Sequence, residues 1–242
     1  MFLFDPMYLV YVAPAILLAI YAQYKVKSTY ARLSRVAVRS GVTGAEAAEH
    51  VLLSQGIPAG GGRGTWGRVP AGAQGVTIGM ARGPLSDHYN PLNRSLALSP
   101  DVHGGRSLAA VGIAAHEAGH AVQHATGYKA MVLRTGVVYF ANGAQFAPII
   151  FFLGFLMNWD VLMNVAIVLF SVLVLFSLAT LPVEFNASSR AMKMLTETGI
   201  VSRDEAPAVK SVLNAAALTY VAAAAMAILT LLYYISLAGR RN

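Results

Sequence analysis

The sequence predicts a mainly α-helical, polytopic membrane protein, with four transmembrane helices and a cytoplasmic region that contains a small β-hairpin. Three observations predict it. Of the 242 residues, 56% are hydrophobic and only 12% charged, against roughly a quarter charged in soluble domains. Residues 6–24, 135–159, 161–183 and 211–239 contain no Asp, Glu, Lys or Arg, and about 20 helical residues rise through the ~30 Å of bilayer hydrocarbon. The basic residues are segregated: twelve lie in 25–134 and four in 184–210, leaving Arg240 and Arg241 for the other side. Positive charge marks the cytoplasmic face. The net charge of +7 is thereby explained by topology, and no nucleic-acid partner is inferred.

The first segment, 1–24, reads as an uncleaved transmembrane anchor. It is followed, not preceded, by Lys25, Lys27, Arg32, Arg35 and Arg39, and it lacks a small-residue cleavage pattern. The region 25–134 is cytoplasmic. Within it, Thr43-Gly44-Ala45-Glu46 has the pattern of a capping box, which predicts a helix near 44–55 ending at Gly56. Residues 58–75 are rich in Gly and Pro and read as loop. Their Gly62-Arg63-Gly64-Thr65-Trp66-Gly67 matches a dinucleotide-binding Gly pattern only formally, because that pattern needs a strand before it and a helix after it. Val76 to Ala81 and Arg94 to Leu98 read as two strands joined by the polar segment 83–93 into a hairpin. Ser107 opens a helix of small residues that ends at Gly127. The segment 135–183 is a transmembrane hairpin turning at Asn158-Trp159-Asp160. The segment 184–210 is cytoplasmic, and Ser202-Arg203-Asp204-Glu205 is a second capping box before the last crossing, 211–242.

The chemistry sits on the helix that begins at Ser107. His116-Glu117-Ala118-Gly119-His120 is a His-Glu-x-x-His pattern. A four-residue spacing puts both imidazoles on one helix face, within reach of one ion. The chain has no cysteine, so any metal is held by His, Asp or Glu, and two neutral imidazoles suit Zn2+. Glu117, rotated ~100° from His116, stands beside the metal, where a base for a metal-activated water belongs. A catalytic zinc needs a third protein ligand. His124 is rotated ~80° from His116 on the same helix and reads as a helix-face or supporting histidine. Glu184 follows twenty-three uncharged residues. A carboxylate there is either solvated by headgroups or bound to the metal, and the spacing alone leaves both open.

The segments His116 to Ala125, Leu181-Pro182-Val183-Glu184-Phe185-Asn186-Ala187-Ser188, Leu213 to Val221, and Asp87-His88-Tyr89-Asn90-Pro91 resemble the YugP-like family, the membrane-bound neutral zinc metallopeptidases of bacteria. That family is itself similar to the HtpX-like membrane proteases, whose third ligand is likewise a Glu on a later helix. The resemblance implies a zincin-like metalloprotease region in which His116, His120 and Glu184 bind Zn2+ and Glu117 is the catalytic base. Asn186 departs from the family pattern, where Asp is frequent, and the Gly-rich stretch 59–75 is longer than the pattern.

The reading that follows is a zinc-dependent endopeptidase in the bacterial plasma membrane, its active site facing the cytoplasm and its substrates membrane-associated or misfolded polypeptides. His88, Tyr89 and Arg190 are candidates to stabilise the oxyanion, and His124 and Asn186 to support the ligands. An extended substrate adds to the strand 76–81 if that strand is an exposed edge. Two alternatives differ in class. An intramembrane metalloprotease would need a partner Asp in an Asp-Gly pair, which this chain lacks. A non-enzymatic membrane scaffold would hold a structural metal.

Overall fold

A computed structural model of the chain describes residues 6–60 and 75–240. The formal nucleotide-binding pattern at 62–67 and most of the Gly-rich stretch lie outside the described residues. Two compact units are present.

Among the described residues, the first unit comprises 6–24, 129–182 and 217–240. It draws on α1 (Pro6–Leu33), α5 (Lys129–Ala144), α6 (Ala147–Leu156), α7 (Asp160–Glu197) and α8 (Ala206–Gly239). The helical stretches Pro6–Leu33, Lys129–Leu156, Asp160–Glu197 and Ala206–Gly239 are each long and apolar enough to cross a membrane. The second stretch is interrupted at Gln145-Phe146. Pro148 explains the break, since it lacks an N–H and its ring clashes with the carbonyl four residues earlier. The interior of this unit is aromatic: Phe151 stacks on Tyr234 at 4.2 Å between ring centroids, and Tyr8 meets Tyr233 edge-on at 5.1 Å. Between α6 and α7 the chain reverses through Asn158, at φ 56°. There Gly154 lies so close to Met163 that an added Cβ would stand 2.9 Å from its backbone nitrogen.

Among the described residues, the second unit comprises 25–60, 75–128 and 183–216. Its α2 (Gly44–Ser54) begins with the capping box read from the sequence: the Thr43 side chain accepts from Glu46 N, and the Glu46 carboxylate accepts from Thr43 N. Gly56, at φ +70°, follows its end. The four-stranded sheet has the order β1-β2-β4-β3, with β1 Ala59–Gly60, β2 Val76–Met80, β3 His88–Asn90 and β4 Ser95–Leu98. The hairpin expected between 76–81 and 94–98 is corrected here. β2 and β4 run parallel, Thr77 opposite Ser95 and Met80 opposite Leu98. The hairpin is instead β3–β4, antiparallel, with Asn90 opposite Ser95. The chain leaves β2, runs back along the outside as β3, and turns at 91–94 with Arg94 at φ 51°. β2 has β4 along one side and β1 on the other at Val76 and Thr77, so the idea that it is an exposed edge fails at those two residues.

Short α3 (Pro100–His103) leads to α4 (Leu108–Ala125). Ser107 caps α4 by accepting from Ala110 N, and Leu108 N donates to Val36 O, so two of the helix's orphan amides are satisfied. α4 is the centre of this unit. Thirteen of its eighteen residues are buried, and seven of them, Leu108 and Val122 among them, join Val51, Leu52, Leu96, Ala191, Met194, Val209 and Leu213 in one apolar core. Its small residues let other helices approach. A Cβ on Gly112 would meet Val209 at 2.9 Å, and one on Gly119 would meet the Ala187 carbonyl oxygen at 2.8 Å.

Candidate metal centre

Two helices build the site, and both contributions lie in the second unit. α4 supplies His116, Glu117 and His120. α7 supplies Glu184, on a helix that runs unbroken through Pro182 to Glu197. Glu184 follows the uncharged run 161–183 within one continuous 38-residue helix.

Glu184 and both imidazoles converge. One carboxylate oxygen, Oε2, lies 3.2 Å from His116 Nε2 and 3.5 Å from His120 Nε2. The imidazole rings are 4.8 Å apart and nearly perpendicular, at 84°, so they present one nitrogen each to a common point. The three potential ligand atoms all lie within 4.8 Å of one another. Ligands ~2.0–2.1 Å from a tetrahedral zinc stand ~3.3–3.4 Å from each other, and the two His–Glu separations bracket that value. An N,N,O donor set with no thiolate suits Zn2+ in a site that keeps a position open.

Each imidazole is also held from behind. Ser188, one turn beyond Glu184 on α7, bonds His116 Nδ1 at 3.1 Å. Gln123 Oε1 lies 3.0 Å from His120 Nδ1, and Gln123 Nε2 donates to Val183 O and to Asn186 Oδ1 at 2.8 and 3.0 Å. The sequence reading missed both Gln123 and Ser188 as supports. A signal for the first was present: Gln123 is one turn from His120, on the helix face that carries His116 and His120, although nothing within α4 shows its distant partners.

The other sequence candidates separate from the three ligands. His124 Nδ1 bonds the Tyr89 hydroxyl at 2.8 Å and is not part of the ligand group. Burial, then the Arg94 charge, lowers the His124 pKa. Burial raises that of Tyr89. His88 is exposed, its Nδ1 on the Ser86 carbonyl. Asn186 Oδ1 accepts from Arg190 Nε at 2.8 Å, and the Arg190 guanidinium lies over the Tyr128 ring. Glu117 is half-buried.

Electrostatics tie Glu184 to the imidazoles. It is 3% exposed. Burial pushes its carboxyl upward, but hydrogen bonds and charge from His116 and His120 outweigh this and hold it well below the carboxylate range. Burial presses His120 downward, while bonds and charge from Glu184, Glu117 and Gln123 leave it raised overall. The stability this pair gives the metal-free chain is complete between the unfolded values, about 4.3 for Glu and about 6.5 for His. It is lost as pH rises through the raised His120 pKa, or falls through the depressed Glu184 pKa. Zinc needs the imidazole neutral, so its affinity grows over the same rise. Thermal unfolding between about pH 6 and about pH 9 is expected to show a falling Tm for the chelated protein and a growing Tm gain on adding zinc.

The contact between α4 and α7 at Gly119 gives a second expected result. Gly119→Ala must push the Ala187 carbonyl away and should cost about 1–3 kcal/mol, read as a lowered Tm of the metal-free chain.

A family described as "Putative neutral zinc metallopeptidase" matches residues 8–59 and 69–239. The chain is 42% identical over 221 residues to the "Putative membrane protease YugP" of Bacillus subtilis (strain 168), covering 90% of each chain. No solved structure matches.

Proposed function

Because the chain belongs to this family of neutral zinc metallopeptidases, we propose that it is a zinc-dependent endopeptidase of a bacterial plasma membrane. In this reading His116, His120 and Glu184 hold the ion, Glu117 is the base, and the site faces the cytoplasm, where it cleaves membrane-associated or misfolded polypeptides. The observation that carries the proposal is the convergence of both Nε2 atoms on a single Glu184 oxygen. The segregation of sixteen of eighteen basic residues into 25–134 and 184–210 supports the orientation.

Zn2+ bound at this centre supplies Lewis acidity, acidifying water and polarising the scissile carbonyl. The residues do the rest. Glu117 takes the proton of the attacking water and returns it to the leaving amine. Gln123 and Ser188 keep the imidazoles oriented. The substrate lies extended along β3, an edge of the sheet that packs against α4 and that pairs on one side with β4; main-chain pairing there tolerates varied side chains. β3 replaces β2 in this role, since β2 is paired with β4 on one side and covered by β1 at Val76 and Thr77 on the other.

The test is proteolysis by purified chain in lipid, using an unfolded polypeptide and a membrane protein of known topology. Cleavage that stops on chelation, returns with zinc and maps to cytoplasmic segments is the expected result. Cleavage within the membrane spans would overturn the orientation, and no cleavage of either substrate would overturn the activity.

A further inference from the structure

Gln123 is fully buried, and all its polar capacity is directed at the metal centre. Its two Nε2 hydrogens go to the Val183 carbonyl and to Asn186 Oδ1, and its Oε1 faces His120 Nδ1. The amide cannot be turned around, because a backbone carbonyl only accepts. Asn186 is fixed in the same way, since its Oδ1 also receives the Arg190 Nε–H. With Oε1 so placed, Nδ1 of His120 must carry its proton, which leaves the Nε2 lone pair of the neutral imidazole for an ion at the point it shares with His116 and Glu184. The other end of the amide grips Val183 and Asn186, the residues flanking Glu184 one and two positions away. This turn directly follows Pro182, where the helix lacks a backbone hydrogen bond and needs another restraint.

From this geometry we infer that Gln123 is a positioning residue which sets the His120 tautomer and the seating of the Glu184 turn together, so that two of the three ligands depend on one side chain. The inference rests on the metal centre proposed above. It also accounts for Asn186 in this chain: the position needs an oxygen acceptor for Gln123 and Arg190, which Asn supplies as Asp would.

The test is the zinc affinity of the full chain in detergent, by competition with a chromophoric chelator, for wild type, Gln123→Met, Gln123→Glu, Asn186→Ala and His116→Ala. Loss of a group that orients a metal-bound histidine weakens metal binding about 10- to 100-fold, and Gln123→Met is expected to do so although no ligand is altered. Gln123→Glu is expected to stay within about threefold of wild type. A Glu side chain has the same shape and keeps an oxygen in the place of Oε1 to accept from His120 Nδ1, the contact that the role requires. A role in packing alone would not separate Met from Glu, which are close in size. Asn186→Ala, at a half-buried site, tests the same network if Gln123→Met fails to fold, with weakening of about 3- to 10-fold expected.

Wild-type affinity in Gln123→Met, equal weakening in Met and Glu, or unchanged affinity in Asn186→Ala would each overturn the positioning role. Equal zinc binding by wild type and His116→Ala would overturn the metal centre itself, and the inference with it. Failure of the positioning role alone appears differently, as zinc binding that depends on His116 and is indifferent to Gln123.

Discussion

Glu117→Gln is expected to keep its zinc and to lose about 100- to 10,000-fold in peptide hydrolysis, the range that a positioned general base contributes. The argument is one of place. Glu117 follows His116 on α4, so its side chain leaves the helix beside the ligand face and not on it, and it is outside the group of three converging donors. Among the described residues it makes no hydrogen bond or ion pair, so its carboxylate is not engaged in structural duty. The amide of Gln has the same shape but cannot accept and return a proton. Zinc content and Tm should therefore match wild type while kcat falls. If Glu117→Gln hydrolyses peptide at an undiminished rate, another base must be found. If it loses zinc, Glu117 is a ligand and the assignment on α7 is wrong.

The second large effect belongs to Glu184→Ala. The carboxylate is both the third donor and the counter-charge for the buried His120 imidazole, so its removal acts twice. Structural zinc sites with four ligands bind with about 10–16 kcal/mol, which averages a few kcal/mol per ligand. Loss of one ligand should weaken zinc binding on the order of 100- to 1,000-fold, and hydrolysis should fall to background at ordinary zinc concentrations. The fold is expected to survive. Breaking a buried ion pair is costly when a charge is left stranded, but here His120 can release its proton and become neutral. With Glu184 gone, burial dominates His120 and its pKa drops, so the fall in metal-free Tm with rising pH should vanish. A pH titration of Tm for the chelated variant checks this directly. Glu184→Ala that binds zinc as wild type does would remove α7 from the centre.

Much of this was legible in the residues because the signals are local. Four uncharged runs marked the apolar helices, Thr43 and Glu46 marked the start of α2, and the spacing of His116 and His120 put both imidazoles on one face of α4. The parallel pairing of β2 with β4 was not legible. Strands of four or five residues show the same alternation whether their neighbours run parallel or antiparallel, and the choice depends on β3, three residues long, running back along the outer side of β4. The continuity of α7 was hidden by Pro182, which marks a helix boundary in most contexts but is tolerated where other groups restrain the chain. Gln123 was passed over for a related reason. Its partners, Val183 and Asn186, lie sixty and sixty-three residues away, and no pattern within α4 points to them.

The central claim is that His116, His120 and Glu184 share one ion. An anomalous-difference map of the zinc-loaded chain, recorded at the zinc absorption edge, tests it most directly. A single peak ~2.0–2.1 Å from both Nε2 atoms and from a Glu184 carboxylate oxygen is the expected result. A peak bound elsewhere, at the Tyr89–His124 pair for example, or one bonded to the two histidines with Glu184 turned away, would contradict it.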